Sequence, residues 1–209
     1  MGHIFLSNRR GEAAPGCTGT AVPGYEVKLV DQEDSSLEVA SRGILCVKGP
    51  SVSMGYHKNP EKTAERFVDG WYNTGDLFEK SETGVYRYLG RNDDLFKVNG
   101  RWISPTEIEH FLLSNIKGVN DFVLLPKRDV DGLERPCLFV GGAGASSRKN
   151  DIQSEVVNLV KSSYSSYMVP KEIFFMDALP RNENGKLLRH KLAEIVRDLE
   201  EKETSLAAC

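Results

Sequence analysis

The sequence changes its pattern between Gly90 and Gly100, and this change constrains the fold more than any other feature. Before it, short alternating or continuous apolar runs are separated by glycine, which is typical of β-strands and turns. After it, Ser104 and Pro105 followed by Glu107 mark a helix start, with serine at the N-cap position and proline at the first helical position. We therefore expect a joint here, between a β-rich part and a mixed part.

The expected fold class is α+β, a small β-barrel-like subdomain followed by a compact α+β domain. The domain boundary is placed after residue 92, so that the domains are 1–92 and 93–209. Elements predicted before the joint are strands over 25–30, 43–49 and 85–89, and a helix over 60–67 capped by Asn59. Elements predicted after it are helices over 104–117, over 151–163 and from 188, strands over 119–125 and 136–140 paired as a hairpin, and a strand over 173–176.

Composition excludes several classes of partner. The formal net charge is -3 with 27% charged residues and no basic tract, so nothing predicts a nucleic-acid partner. No apolar run approaches the roughly 20 residues that span a bilayer, so we expect no membrane insertion and a cytoplasmic location. The cysteines lack the short spacings of a zinc site or a disulfide scaffold, and we expect them to be reduced: Cys17, Cys46, Cys137 and Cys209.

Asp76 closes the segment 70–76, GWYNTGD, in which two aromatic residues precede a tight turn at glycine. An ionised carboxylate accepts both hydrogen bonds of a vicinal diol, which is the group that a ribose presents. On this segment alone, an aspartate that caps its own turn is the favoured explanation, and ribose binding is the alternative.

Two further segments are candidates for binding charged groups. In the segment 90–100, GRNDDLFKVNG, Arg91 could add a donor to the same ribose or to a phosphate, whereas the alternative is a solvated charged turn. In the segment 179–189, LPRNENGKLLR, a turn presents Lys186 just before the last helix. A lysine beside a reacting phosphate and carboxylate would lower the barrier by about 3–4 kcal/mol, whereas the alternative is an ordinary exposed lysine.

In chain order, these motifs resemble those of the adenylate-forming superfamily, which includes acyl-CoA synthetases, adenylation domains of peptide synthetases and firefly luciferase. The resemblance covers nearly the whole chain, and the opening HIFLSN together with residues 15–30 is most similar to the benzoate–CoA ligase branch. The matching features are GWYNTGD (70–76), YLGRND (88–93), Lys97, Gly100, Ile103 with EIE (107–109), LPR (179–181), Gly185 and Lys186.

The resemblance implies an ATP-dependent ligase that acts on an aryl or short acyl acid. Such enzymes join the carboxylate to AMP, release pyrophosphate, and then pass the acyl group to coenzyme A. The cofactor-binding residues would be Asp76 at the ribose hydroxyls, Arg91 assisting there, and Lys97 and Gly100 on the loop that lines the pantetheine tunnel. The partners would be the acid, ATP and coenzyme A, together with an N-terminal part of the enzyme.

The resemblance also implies a catalytic residue and a hinge. Lys186 would bridge the substrate carboxylate and the α-phosphate during adenylation, and Asp93 falls at the hinge position. Residues 1–92 would then be the truncated, β-rich end of the large AMP-binding domain. Residues 93–209 would be the small C-terminal domain, with the hinge at its start.

The family's phosphate loop, its carboxylate pocket and the glutamate that helps to hold Mg²⁺ have no counterpart in the 209 residues. No metal ligand is therefore assigned here, and we expect that this chain alone does not adenylate. One alternative is a non-catalytic module that keeps the fold and binds a nucleotide or a protein. Another is a fragment of a peptide-synthetase adenylation domain, which is weakened because no carrier-like segment follows Leu199.

Overall fold

The computed structural model describes residues 4–11, 13 and 16–207 of the chain. Its residues form two compact units, Met1–Asp94 and Leu95–Cys209. The elements of the first unit are β1 (Leu6–Ser7), β2 (Thr20–Ala21), β3 (Glu26–Val30), β4 (Glu38–Val39), β5 (Arg42–Lys48), α1 (Pro60–Arg66), β6 (Phe67–Val68), β7 (Trp71–Lys80) and β8 (Tyr86–Arg91).

The first unit is built on an antiparallel sheet in the order β4-β3-β5-β7-β6, with β8 also paired to β7. Its central strand β5 is buried along its whole apolar run, as the continuous pattern of 43–49 predicts. The core on one face joins Leu29, its cross-strand partner Leu45, and Phe78. These three strands, β3, β5 and β7, therefore contribute side chains to one apolar face of the sheet.

Strand β7 positions the candidate site because it pairs along both of its edges. Tyr72 lies opposite Val47 of β5 and Phe67 of β6, whereas Leu77 lies opposite Ile44 of β5 and Gly90 of β8. Strands β6 and β8 thus follow one another along the edge of β7 that faces away from β5. The α+β class is confirmed, but pairing among the described residues gives an open sheet and not the expected barrel-like closure.

The predicted helix before the joint is confirmed with its cap. Helix α1 begins at Pro60, and the side chain of Asn59 accepts a hydrogen bond from the backbone N–H of Lys62 at 3.0 Å. The helix ends at Arg66, one residue earlier than predicted, and Phe67 starts β6. This places Arg66 at the junction between helix and sheet.

The second unit is a three-stranded sheet between helices. Its elements are β9 (Phe96–Val98), β10 (Arg101–Ile103), α2 (Pro105–Asn115), β11 (Asp121–Arg128), β12 (Glu134–Gly141), α3 (Lys149–Ser163), β13 (Glu172–Met176) and α4 (Arg189–Ala207). The predicted hairpin is confirmed as the antiparallel pair β11–β12, and β13 adds at the edge, parallel to β12.

Alternation along β11 and β12 distributes the helices over the two faces of this sheet. Leu124 and Leu138 belong to the core cluster that contains residues of α2 and α3. Val123 and Phe139, one position away on each strand, belong to the cluster that contains Leu192 of α4. Because side chains of a strand alternate between faces, this two-sided burial makes both strands almost continuously apolar.

The start of α2 and the turn before it show what local signals specify. Helix α2 begins at Pro105 with Ser104 at the N-cap position, as predicted, although the serine side chain makes no capping hydrogen bond. Strands β9 and β10 form a hairpin whose two-residue loop is Asn99 and Gly100, with φ of 52° and 75°. Positive φ at both positions is the geometry of a type I′ turn, for which Asn-Gly is the preferred sequence.

Candidate active site

Asp76 is placed by a bulge in β7. Between the pairs Cys46–Asn73 and Ile44–Leu77, strand β7 contains two more residues than β5, and Gly75 within the bulge has φ of 71°. The turn is closed by side chains, because the Asn73 side-chain oxygen accepts from the N–H of Gly75 at 2.9 Å. The Thr74 hydroxyl lies 2.8 Å from the carbonyl of Leu45 and accepts from the N–H of Asp76 at 3.0 Å. The motif Asn-Thr-Gly thus orients the aspartate.

Asp76 and Arg91 form an ion pair across β7 and β8. They are directly opposite in the strand register, and Arg91 Nη1 donates to Asp76 Oδ1 at 3.0 Å. The Asp76 side chain is 27% exposed and that of Arg91 46%. The second oxygen, Oδ2, has no hydrogen-bond partner among the described residues. One oxygen is therefore held by the arginine, and the other is left to accept hydrogen bonds from a ligand.

Partial burial dominates the electrostatics of this carboxylate. Burial raises the pKa of Asp76 above its ordinary value, and the nearby Arg91 guanidinium opposes that rise. Burial also raises the pKa of Tyr72 to about 12, and its hydrogen bond with Tyr56 acts in the same direction. The hydroxyl oxygens of these two tyrosines are 3.3 Å apart. Tyr72 thus remains a neutral hydrogen-bonding group near the aspartate.

Arg66 is a second cation at this site, and it was not among the residues predicted from the sequence. Its Nη2 lies 3.9 Å from Asp93 Oδ1, and its guanidinium lowers the pKa of Asp76 as Arg91 does, though less. A Cβ atom added at Gly75 would come within 2.5 Å of Arg66 Nη1 and 3.4 Å of Arg91 Nη2. The glycine therefore gives both guanidinium groups access to the bulge. No signal in the sequence connects the end of α1 to this position.

The joint itself contains the three remaining candidates of the segment 90–100. Asp93 lies in a single 3₁₀ turn, Asn92–Asp94, and its Oδ2 is 3.7 Å from Arg91 Nη2. The ammonium of Lys97 lies 4.4 Å from the centre of the Trp102 ring across the β9–β10 hairpin, and Gly100 is in the hairpin loop. The hairpin was not predicted, although the Asn-Gly dipeptide between two short apolar runs is a sequence signal for one.

Lys186 follows a tightly hydrogen-bonded turn. The side-chain oxygen of Asn182 accepts from the N–H groups of Asn184 at 3.1 Å and Lys186 at 2.8 Å. The N–H of Asn182 donates to the carbonyl of Lys186 at 2.9 Å, and that of Gly185 donates to the carbonyl of Asn182 at 2.9 Å. Lys186 is exposed, and its ammonium has no partner among the described residues. Its backbone is fixed while its charge remains available.

The structure thus groups the candidates within each unit. Asp76, Arg91 and Asp93 share one ion-pair network in the first unit. In the second unit Lys97 and Gly100 share a hairpin, and Lys186 lies on a separate turn. In the described part of the chain, no group of three His, Cys, Asp or Glu residues could hold a metal ion. Within the same limits, no helix is long and apolar enough to cross a membrane.

Family models match parts of both units. The model of the AMP-binding enzyme family matches residues 1–57, and the model of the AMP-binding enzyme C-terminal domain matches residues 107–186. The chain belongs to the adenylate-forming superfamily. The order of the two matches is the one expected for the C-terminal portion of such an enzyme. The motifs of this superfamily member extend the likeness across residues 58–106, which the two models leave uncovered.

Similar proteins include aryl-CoA ligases and long-chain-fatty-acid–CoA ligases. The anthranilate–CoA ligase of Pseudomonas aeruginosa is 44% identical over 202 residues, which are 95% of this chain and 39% of that protein. The benzoate–CoA ligase of Thauera aromatica is 36% identical over 92% of this chain and 36% of its own length. The expected resemblance to the benzoate–CoA ligase branch is confirmed. The chain spans less than two fifths of the length of these curated relatives.

A solved structure supports the same relationship. The anthranilate CoA ligase AuaEII, crystallised in complex with anthranoyl-AMP, superposes with a TM-score of 0.80 at 31% identity. The match covers 93% of this chain and 37% of that protein. The observed architecture is therefore that of the corresponding part of an acyl-adenylate-binding ligase.

Proposed function

We propose that this chain is the C-terminal part of an ATP-dependent carboxylate–CoA ligase acting on an aryl or short acyl acid. The reaction joins the acid to AMP with release of pyrophosphate, and then transfers the acyl group to coenzyme A with release of AMP. The observation that carries the proposal is the Asp76–Arg91 pair, in which one carboxylate oxygen is held and the other is available. The names of the relatives, all CoA ligases, support the acid and thiol substrates.

Asp76 is the residue proposed to hold the ribose of ATP and AMP. A vicinal diol has two O–H donors at neighbouring carbons, and a carboxylate has lone pairs enough to accept both while Oδ1 still receives Arg91. Because the carboxylate is partly buried, these hydrogen bonds are stronger than in open water. Arg91 keeps the carboxylate oriented and offers its outer N–H groups to ligand oxygens.

Lys186 is the residue proposed to act in adenylation. Attack of a carboxylate on the α-phosphate brings two anionic groups together, and a single ammonium between them lowers that repulsion. Its exposure and its partner-free ammonium fit a charge that is used in only one step. The anthranoyl-AMP bound to AuaEII is the class of intermediate that this step would produce.

The remaining assignments follow the family resemblance. We propose residues 1–92 as the end of the large AMP-binding domain and 93–209 as the small C-terminal domain, with backbone rotation at Asp93 between the two steps. Lys97 and Gly100 are proposed to contact the pantetheine arm of coenzyme A. Mg²⁺, which the whole enzyme would use to neutralise phosphate charge, receives no ligand from this chain in the proposal. A cytoplasmic location and an N-terminal partner segment remain predictions.

A fusion protein tests the proposal. The chain replaces the matching 202-residue region of the P. aeruginosa anthranilate–CoA ligase, and pyrophosphate release and CoA-thioester formation are measured with anthranilate, benzoate and short acyl acids. We expect both reactions with at least one of these acids. The unmodified ligase and its upstream part alone are the positive and negative controls. A folded fusion that performs neither reaction contradicts the proposal and favours a non-catalytic binding module.

The same assay addresses the chain by itself. We expect no pyrophosphate release from the purified 209-residue chain with ATP and these acids, because the groups that surround the phosphates are not among its motifs. Clear turnover that Lys186→Ala abolishes would overturn this expectation.

A further inference from the structure

We propose that Arg181 and Arg189 are positioning residues for Lys186, because two ion pairs fasten the segment that contains the lysine at both of its ends. The proposal deepens the function proposed above, since it rests on Lys186 acting in adenylation. Neither arginine is proposed to touch the substrate. Each acts through the backbone conformation of the turn between them.

Arg181 fastens the first end of the turn by a forked contact. Its Nη1 donates to the carbonyl of Gly185 at 2.6 Å, and its Nη2 forms an ion pair with Asp121. Asp121 is the first residue of β11, a strand in the core sheet. One guanidinium therefore connects the residue just before Lys186 to the sheet. A planar guanidinium makes both contacts at once, which a single ammonium does not.

Arg189 fastens the second end. It is the first residue of α4 and forms an ion pair with Glu109 of α2. Glu109 is buried, with its side chain 9% exposed, and its Oε1 also accepts a hydrogen bond from the N–H of Leu124 at 2.7 Å. A buried carboxylate bound to both a cation and a backbone N–H has little freedom to move. The start of α4 is thereby held against α2 and β11.

Both anchors meet on the same strand. Asp121 and Leu124 lie three residues apart on β11, so the segment 181–189 is attached to this strand directly through Asp121 and indirectly through Glu109. Between these points, the side chain of Asn182 closes the turn through the N–H groups of Asn184 and Lys186. The backbone of Lys186 is therefore set by the core of the unit, while the ammonium extends from it without a partner among the described residues.

Such a scaffold matters because electrostatic catalysis depends on the position of the charge. A displacement of about 1 Å of a catalytic group lowers rates by up to about 100-fold. A lysine on a loose turn would spend most of its time away from the reacting phosphate, and ordering it would oppose the reaction. Because the turn is attached at both ends, most of the entropic cost of ordering the lysine is met during folding and not during the reaction.

Hydrogen exchange on the full 209-residue chain tests the scaffold directly. Arg181→Gln removes the fork, and we expect the amides of Gly185 and Lys186 to exchange at least about tenfold faster. Arg148→Gln is the matched control, because Arg148 in the same unit also contacts a carbonyl, that of Lys117, and a carboxylate, that of Glu155. It should leave both amides unchanged.

The conservative variant Arg181→Lys tests whether the two-pronged contact of the guanidinium is needed, or only its positive charge. Arg181→Lys keeps the charge opposite Asp121 but not the simultaneous contact with the carbonyl of Gly185, so we expect it to fail to restore slow exchange. Full restoration by lysine, or unchanged exchange in Arg181→Gln, overturns the proposal for this residue. Glu109→Gln tests the other end, and unchanged exchange of Lys186 in that variant overturns the proposal for Arg189.

The ligase fusion adds the catalytic readout. We expect Arg181→Gln to lower adenylation by about tenfold to 100-fold, and to leave thioester formation from supplied acyl-AMP within about twofold of the unmodified fusion. If Lys186→Ala abolishes adenylation but Arg181→Gln does not change it, the positioning role is overturned while the proposed function stands. If Lys186→Ala itself leaves adenylation unchanged, the role proposed for Lys186 is overturned, and the catalytic consequence proposed here is overturned with it.

Discussion

Asp76 in the first unit and Lys186 in the second unit carry opposite charges, and they differ in which part of the residue is held in place. The carboxylate of Asp76 is itself held, by Arg91 and by partial burial, so that its side chain is fixed before any ligand arrives. The ammonium of Lys186 has no partner in the part of the chain that the structure describes, whereas the backbone that carries it is held by hydrogen bonds. The proposed binding residue is thus organised through its side chain, and the proposed catalytic residue through the backbone that carries it.

The same difference predicts where substitutions should be costly. At the aspartate site the organising contacts are close to the functional atom and partly exposed. At the lysine site they are remote, and one of them, Glu109, is buried. Stability should therefore depend more on the remote anchors of Lys186 than on the residues that surround Asp76.

The largest expected effect is at the buried anchor. Glu109→Ala removes the partner of Arg189 and of the N–H of Leu124, so we expect it to lower the free energy of unfolding by about 2–3 kcal/mol. Urea denaturation measures the change. Glu155→Ala, in the same unit, removes a half-exposed ion pair with Arg148 and should cost less than about 1 kcal/mol. If the two variants lowered the free energy of unfolding equally, the buried anchor Glu109 would be no more important for stability than an exposed ion pair.

An intermediate effect is expected at the bulge. Gly75→Ala forces a side chain into positive φ, which costs about 1–2 kcal/mol, and also displaces Arg66 from its position over the glycine. Gly84→Ala is the control, because Gly84 has φ of 80° with open space around it and should show the backbone cost alone. Equal unfolding free energies for the two variants would mean that the guanidinium contact at Gly75 is unimportant for stability.

The smallest effect concerns the charge of Asp76. Its pKa is raised in the folded state, so the charged form is less stable there than in the unfolded chain, and wild-type stability relative to Asp76→Asn should fall as pH rises. The decrease should begin at the ordinary pKa of aspartate and end at the higher folded value. Urea denaturation of both proteins from pH 4 to 7 measures it. A relative stability that does not fall over this range would mean that Arg91 outweighs burial.

Local signals predicted much of this structure. The Asn59 cap, the start of α2 at Pro105 and the β11–β12 hairpin were all predicted, because each depends on neighbouring residues and on short-range periodicity. The open form of the first sheet was not predicted. It depends on which edges of β7 are used: β5 pairs with one edge on both sides of the bulge at Gly75, so β6 and β8 pair with the other edge. Such pairing is long-range and leaves no local pattern.

The site shows the same limit. Asp76, Arg91 and Lys186 were identified from motifs, and their roles are still predictions. Arg66 was missed because only the tertiary contact of α1 with the bulge brings it to Gly75. The anchors of the lysine turn depend on strand β11, some sixty residues earlier in the chain, so the sequence around Lys186 could not have specified them.

The measurement that tests the central claim most directly is the separation of the two half-reactions in a Lys186→Ala variant of the ligase fusion. We expect adenylation, measured as pyrophosphate release, to fall by about 100-fold to 1000-fold, and thioester formation from supplied acyl-AMP to stay within about twofold. Equal losses in both half-reactions, or no loss in adenylation, would contradict the account.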